Sequence, residues 1–172
     1  GHIMVKKSTP GVGTTFRITL AKGNFSDKLV TDPELDDPWS MAGLYIHVPF
    51  CRKACTYCDF HFSTNLRSTD QLVEAIRKEL HDRAEELAKT TVGTIYFGGG
   101  TPSLLQPKAI AGFLDDARKQ FTIQPNAEIT LEANPDDITP ENLAAWKAMG
   151  ITRLSLGTQS FREDRLRFMG RA

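Results

Sequence analysis

The chain is 172 residues long, 40% of them hydrophobic, and its 21 basic side chains balance 21 acidic ones. That is about one domain with material for a core. The zero balance excludes an electrostatic case for nucleic acid or an anionic membrane as partner, and no apolar run approaches the roughly 20 residues of a membrane span.

Residues 1–40 differ from the rest. "STPGVGTTFRITLAKG" holds one expected strand, at residues 15–20, introduced by Gly11 and Gly13. "NFSDKLVTDPELDDPWS" follows with two prolines, five acidic residues and no clear period; it reads as a linker or ordered arm. "GHIMVKKSTPGVGTTFRITL" resembles the last hairpin of a sensor-histidine-kinase ATPase domain, where a Gly-Thr-Thr-Phe turn leads into a final strand. The nucleotide motifs of such a domain are absent, so this stretch is read as an inert remnant or fusion scar and no ATP binding is expected. Met41 then opens "MAGLYIHVPF" as a natural start would.

From Leu44 the chain alternates. "LYIHV" is a short apolar strand. Leu72, Val73, Ile76, Leu80, Ala84 and Leu87 make a helical stripe across residues 69–88, with Ser68 and Gln71 placed as a capping box. "VGTIYF" is the second strand. Ile110, Phe113, Leu114, Ala117 and Phe121 mark a second helix with Pro107 near its start. "AEITLEA" is the third strand. Thr139 as N-cap, Pro140 at the first helical position and Gly150 after the last turn bracket a third helix. "ITRLSLG" is the fourth strand, and "SFREDRLRFMG" begins another helix. This alternation predicts an α/β fold with a parallel sheet and right-handed crossovers. A barrel and an open sheet both fit, and both put function at the carboxyl ends of the strands. About four strands leave a barrel incomplete.

All three cysteines of the chain, Cys51, Cys55 and Cys58, fall in "FCRKACTYCDF", just after the first strand. Three closely spaced thiols disfavour mutual disulfides, and a reducing, cytoplasmic location is expected. Thiolates are soft ligands that select zinc, copper or iron–sulfur clusters. Three of them in one loop can hold three irons of a four-iron cluster and leave the fourth open to a small molecule. Structural zinc, with His47 or His61 as fourth ligand, is an alternative, and thiols with no metal are another. Phe50, Tyr57 and Phe60 are placed to shield a cluster.

"YIHVPFCRKACTYCDF", "YFGGGTPSLL", "TLEANPDDIT" and "RLSLGTQSF" resemble the radical S-adenosylmethionine enzymes, and within them the oxygen-independent coproporphyrinogen oxidase group. The resemblance runs from about Met41 to the end, with the motifs in family order. It implies that residues 41–172 are the N-terminal part of a radical SAM core domain, a partial parallel (β/α) barrel, with residues 1–40 a non-barrel arm. It implies a [4Fe–4S] cluster on Cys51, Cys55 and Cys58, S-adenosylmethionine on the open iron, and a radical that abstracts hydrogen from substrate. By the same resemblance Gly98, Gly99, Gly100 and Thr101 contact the methionine moiety, Glu132 accepts from the ribose hydroxyls, Gln159 lies at the nucleoside, Tyr45 packs against the sulfonium and Tyr57 lies beside the cluster. Without it, the glycines are an ordinary strand-to-helix turn, Glu132 a solvated strand-end acid, Gln159 a loop amide and Tyr45 a half-buried strand tyrosine. His47 reads as a satisfied strand histidine, and Arg153 and Ser155 as strand residues.

Coproporphyrinogen oxidases of this type resemble Cys-x3-Cys-x2-Cys-x-Cys. Here Phe60 takes the fourth position, as in the heme-chaperone, HemW-like branch. That branch implies heme or porphyrin as ligand and an apo-heme protein as acceptor, with heme held by a later segment of a family roughly twice as long or more. Oxidative decarboxylation of coproporphyrinogen III is the alternative activity, and a zinc-stabilised binding module the alternative of another class. The fragment is expected to be incomplete for turnover.

Overall fold

Four parallel strands in sequence order carry the site. The computed structural model describes residues 2–9, 13–19, 41–87 and 90–171. The chain divides into two compact units, Gly1–Asp36 and Asp37–Ala172.

In the first unit β1 (His2–Thr9) pairs antiparallel with β2 (Gly13–Thr19), His2 opposite Thr19 and Thr9 opposite Gly13. The residue pattern predicts only the second of these strands, and the resemblance to a hairpin implies a partner for it. "HIMVKKST" lacks clean alternation, and it becomes a strand because β2 satisfies its backbone groups. The predicted linker at residues 24–40 lies outside the described residues.

In the second unit the elements alternate as the sequence predicts: β3 (Met41–Val48), α1 (Thr69–Asp82), β4 (Thr91–Gly99), α2 (Pro107–Gln120), β5 (Ile123–Ala133), α3 (Pro140–Met149), β6 (Arg153–Leu156) and α4 (Glu163–Phe168). The sheet order is β3-β4-β5-β6, every neighbour parallel. Right-handed crossovers that always step the same way put the connecting helices on one face of the sheet. This is the pattern of a partial (β/α) barrel, and it decides between the two architectures the sequence leaves open.

The register shows the two faces. Ile46, Phe97, Leu131 and Leu154 stand side by side across the four strands, the first three buried in the core. One residue back, Tyr45, Tyr96, Thr130 and Arg153 form the next row, pointing to the opposite, concave face. α2 covers the core face with Ile110, Phe113, Leu114 and Ala117, all fully buried at helical spacing. The rings of Phe97 and Phe113 lie 6.1 Å apart.

The third helix begins and ends as predicted. Thr139 accepts from the Asn142 N–H, Pro140 follows, and Gly150 closes the helix at φ 101°. The first does not. Ser68 makes no side-chain cap bond, because a 3-10 turn at Leu66–Ser68 already places it at φ −96°, ψ 8°, away from the extended conformation an N-cap needs. Asn65 caps that turn instead, accepting from the Arg67 N–H. α1 itself stops at Asp82, and Ala84–Leu87 continues as a 3-10 turn.

Candidate functional site

The carboxyl ends of the four strands open onto one cleft of about 470 Å3. The loop from residue 49 to 63 forms one wall. Its base is closed by Ser63 N–H donating to Pro49 O at 2.8 Å and Cys51 N–H donating to Ser63 O at 3.1 Å. A turn with Cys58 N–H donating to Cys55 O at 3.1 Å brings the second and third cysteines round. The tip is tied to the end of α4, where Thr56 donates through its N–H to Met169 O and through its hydroxyl to Phe168 O. Cys51, Cys55 and Cys58 are unpaired thiols, half-buried, and all three line the cleft. Among the described residues, no three His, Cys, Asp or Glu side chains gather around one point as ligands of a single ion.

The glycine turn after β4 forms the floor. Gly100 N–H donates to Val48 O at 2.8 Å and Thr101 N–H to Phe50 O at 2.7 Å, which extends the β3–β4 pairing into the cysteine loop. The Thr101 hydroxyl lies 3.5 Å from Cys51 Sγ as a donor. A Cβ on Gly100 would stand 2.6 Å from Phe50 O, and Gly99 has φ 117°. Both positions therefore demand glycine for local reasons, one for a close backbone approach and one for the left-handed region.

Glu132, at the end of β5, is held at both oxygens. The Tyr96 hydroxyl donates to Oε1 at 2.7 Å and the Gly99 N–H to Oε2 at 3.2 Å. The carboxylate bond, reinforced by burial, raises the Tyr96 phenol above its ordinary pKa. Tyr45 is raised too, by burial first and the Glu132 charge second. The Tyr45 hydroxyl lies 3.0 Å from His47 Nδ1, so the strand histidine is satisfied as expected. Burial lowers the His47 pKa and outweighs the pull of Glu132.

Of the residues singled out from the sequence, the three cysteines, Tyr57, Gly99, Gly100, Thr101, Glu132 and Gln159 meet in this cleft. Gln159 sits at φ 63°, an uncommon conformation for a residue with a side chain. Gly98 and Tyr45 are not among the lining residues; they lie against each other on the concave face, where a Cβ on Gly98 would be 2.9 Å from Tyr45 Cε2. Of the predicted aromatic shield, Tyr57 and Phe60 line the cleft, but Phe50 is 4% exposed and belongs to the core. Ser155 also lines the cleft, besides being a strand residue. Sequence reasoning missed Tyr96 and Arg171. Arg171 spans three loops, donating to Tyr57 Oη at 3.4 Å, to Asn134 Oδ1 at 3.1 Å and to Gly157 O.

The profile of the radical SAM superfamily matches residues 45–172. The chain belongs to this superfamily. It is 46% identical over 127 residues to the heme chaperone HemW of Mycobacterium tuberculosis, covering 72% of this chain and 33% of that protein. It is 39% identical over 125 residues to the oxygen-independent coproporphyrinogen III oxidase of Bradyrhizobium diazoefficiens, covering 70% and 27%. Among solved structures it is similar to coproporphyrinogen III oxidase (HemN) from Escherichia coli, described as a radical SAM enzyme, with a TM-score of 0.71 and 31% identity over 77% of this chain and 31% of the other. The radical SAM chain thus spans about a third of the length of these relatives.

Proposed function

We propose that this radical SAM chain holds a [4Fe–4S] cluster through Cys51, Cys55 and Cys58 and receives S-adenosylmethionine in the same cleft, as part of a HemW-like protein that carries heme to apo-proteins. The observation that carries the reading is the meeting of three free thiols with Gly99, Gly100, Thr101, Glu132 and Gln159 in one cleft.

The donor set fits the group. Single-ion zinc needs its donors about 2.3 Å from one point. A four-iron cluster asks for one thiolate per iron, each at its own corner. Cys51, Cys55 and Cys58 are free thiols on one cleft, and thiolates are the ligands that such a cluster takes. When bound, the cluster supplies one-electron chemistry to S-adenosylmethionine. The chain's own residues do the rest. Thr101 offers a hydroxyl to Cys51 Sγ and so helps to orient it. Glu132 presents a carboxylate fixed by Tyr96 and Gly99 to the ribose diol. Tyr57 and Phe60 line the cleft beside the cysteines, both of them exposed in the structure.

Phe60, where the oxidase pattern has a cysteine, supports the chaperone over coproporphyrinogen oxidation. The oxidase reading keeps the support of the Bradyrhizobium relative and the HemN fold. A cytoplasmic setting follows from the reduced thiols such a cluster needs; among the described residues no helix is long and apolar enough to cross a membrane. No nucleotide role is assigned to residues 1–40.

Anaerobic reconstitution tests the cofactor reading. About four irons and four sulfides per chain are expected, with one iron site whose Mössbauer signal shifts on adding S-adenosylmethionine. Zinc in a colourless protein would overturn it. Heme binding and transfer to an apo-cytochrome, against porphyrin product from coproporphyrinogen, separate chaperone from oxidase in the full-length protein.

A further inference from the structure

We propose that Asp137 is a positioning residue for the cysteine loop, gripping it through Arg52, the neighbour of Cys51. Asp137 lies in the 3-10 turn Pro135–Asp137 after β5 and is 4% exposed. A carboxylate so buried is costly unless each oxygen finds a donor. Both do, from two different loops. Oδ1 pairs with Arg52 Nη1 of the cysteine loop. Oδ2 accepts from Ser103 Oγ at 2.6 Å, just after the glycine turn. Ser103 is itself buried, and its hydroxyl accepts from the Asn134 N–H at 3.0 Å. Asn142 Nδ2 donates to the Asp137 carbonyl at 2.8 Å and ties the turn to α3. One buried anion therefore joins the cysteine loop, the glycine turn and the end of β5.

The Arg52 bond adds something the loop's other ties do not. Cys51 N–H to Ser63 closes the base, and Thr56 to α4 holds the tip. The Thr101 bonds to Phe50 O and Cys51 Sγ hold the Cys51 side to the glycine turn, and none of these ties reaches the turn after β5. The Arg52–Asp137 pair does, because it ties the residue next to Cys51 to the turn after β5. Arg52 is half-exposed, so its substitution removes the grip without opening the core. The consequence for cluster assembly rests on the cofactor reading above; the grip does not.

Hydrogen–deuterium exchange on the metal-free chain tests the grip directly, in Arg52→Gln, Asp137→Asn and the double variant. Amides of residues 51–63 are expected to exchange about tenfold faster in each, with β4 and β5 amides unchanged and the double variant no faster than Asp137→Asn alone. Iron retained after anaerobic reconstitution should fall in parallel. Arg52→Gln keeps the test open if Asp137→Asn fails to fold. Unchanged loop exchange in Arg52→Gln, or acceleration spread evenly over the whole second unit, would overturn the proposal. If the parent chain takes up no iron, the cluster reading fails while the exchange comparison still decides the grip.

Discussion

Gly100→Ala asks whether the glycine turn is needed by the fold before any ligand arrives. The added Cβ would sit 2.6 Å from Phe50 O and 2.9 Å from Phe50 C and N, against an ordinary carbon contact of about 3.5–4.0 Å. These are backbone atoms of a core residue, so no side chain can swing aside. Relief requires β3 and β4 to part at this end, which costs about 1–3 kcal/mol of overpacking. It also weakens the Gly100–Val48 and Thr101–Phe50 hydrogen bonds, at about 1 kcal/mol each. The sum is about 3–5 kcal/mol, a large share of the roughly 5–15 kcal/mol of a domain. Urea unfolding of the metal-free chain should show a midpoint lowered by about 1–5 M, for a slope of about 1–3 kcal/mol per M. Gly112→Ala in α2 is the internal control. Its Cβ would meet Arg77 at 3.6 Å, an ordinary contact, and a helix interior gains about 0.5–1 kcal/mol from the change. A Gly100→Ala chain that unfolds at the parent's urea concentration would refute the close-approach argument.

Replacing any one of Cys51, Cys55 or Cys58 by Ala should reduce reconstituted iron at least severalfold, and removing all three should abolish it; iron analysis per chain decides. Tyr96→Phe removes one of the two donors on Glu132 and should weaken S-adenosylmethionine binding by about tenfold, read as Kd on the reconstituted protein, with little change in urea midpoint. Asp116 is held below its ordinary pKa first by its hydrogen bond from Arg77, which links α1 to α2. A depressed carboxylate stabilises the fold above its ordinary value of about 3.9 and loses that contribution as pH falls through the lower folded value. Asp116→Asn should therefore cost about 1 kcal/mol at pH 7, and the two urea midpoints should converge as pH falls through the lowered folded value of Asp116.

The second unit was legible in sequence because its signals are local. Apolar stripes fixed α1 and α2, Thr139, Pro140 and Gly150 fixed α3, and the three cysteines advertised their loop within eight residues. What escaped depends on partners far along the chain. Tyr96 finds Glu132 at a separation of 36 residues, Arg52 finds Asp137 at 85, and Arg171 finds Tyr57 at 114. No spacing rule marks such pairs, since only the parallel sheet brings the strand ends together. β1 escaped for a related reason: its pairing with β2, not its own pattern, makes it a strand. Gly100 shows the opposite case. The resemblance implies a ligand contact for this glycine and the turn reading needs none; Phe50 O supplies a sufficient local reason by itself.

Glu132 joins the cleft to the concave face, and its bonds bear on what it can recognise. Each carboxylate oxygen has two acceptor directions. Tyr96 takes one on Oε1 and the Gly99 N–H takes one on Oε2. That fixes the plane of the group and leaves one direction free on each oxygen. Two acceptors on a fixed plane are compatible with the two adjacent hydroxyls of the proposed ribose contact. The charge also acts backward on the sheet. It raises the Tyr96 phenol above its ordinary pKa, through the hydrogen bond first, and adds to the burial that raises Tyr45. A carboxylate without Tyr96 and Gly99 would be free to rotate and to turn away from a diol. The orientation of the acid at the end of β5 therefore rests on Tyr96 in β4 and on the Gly99 N–H.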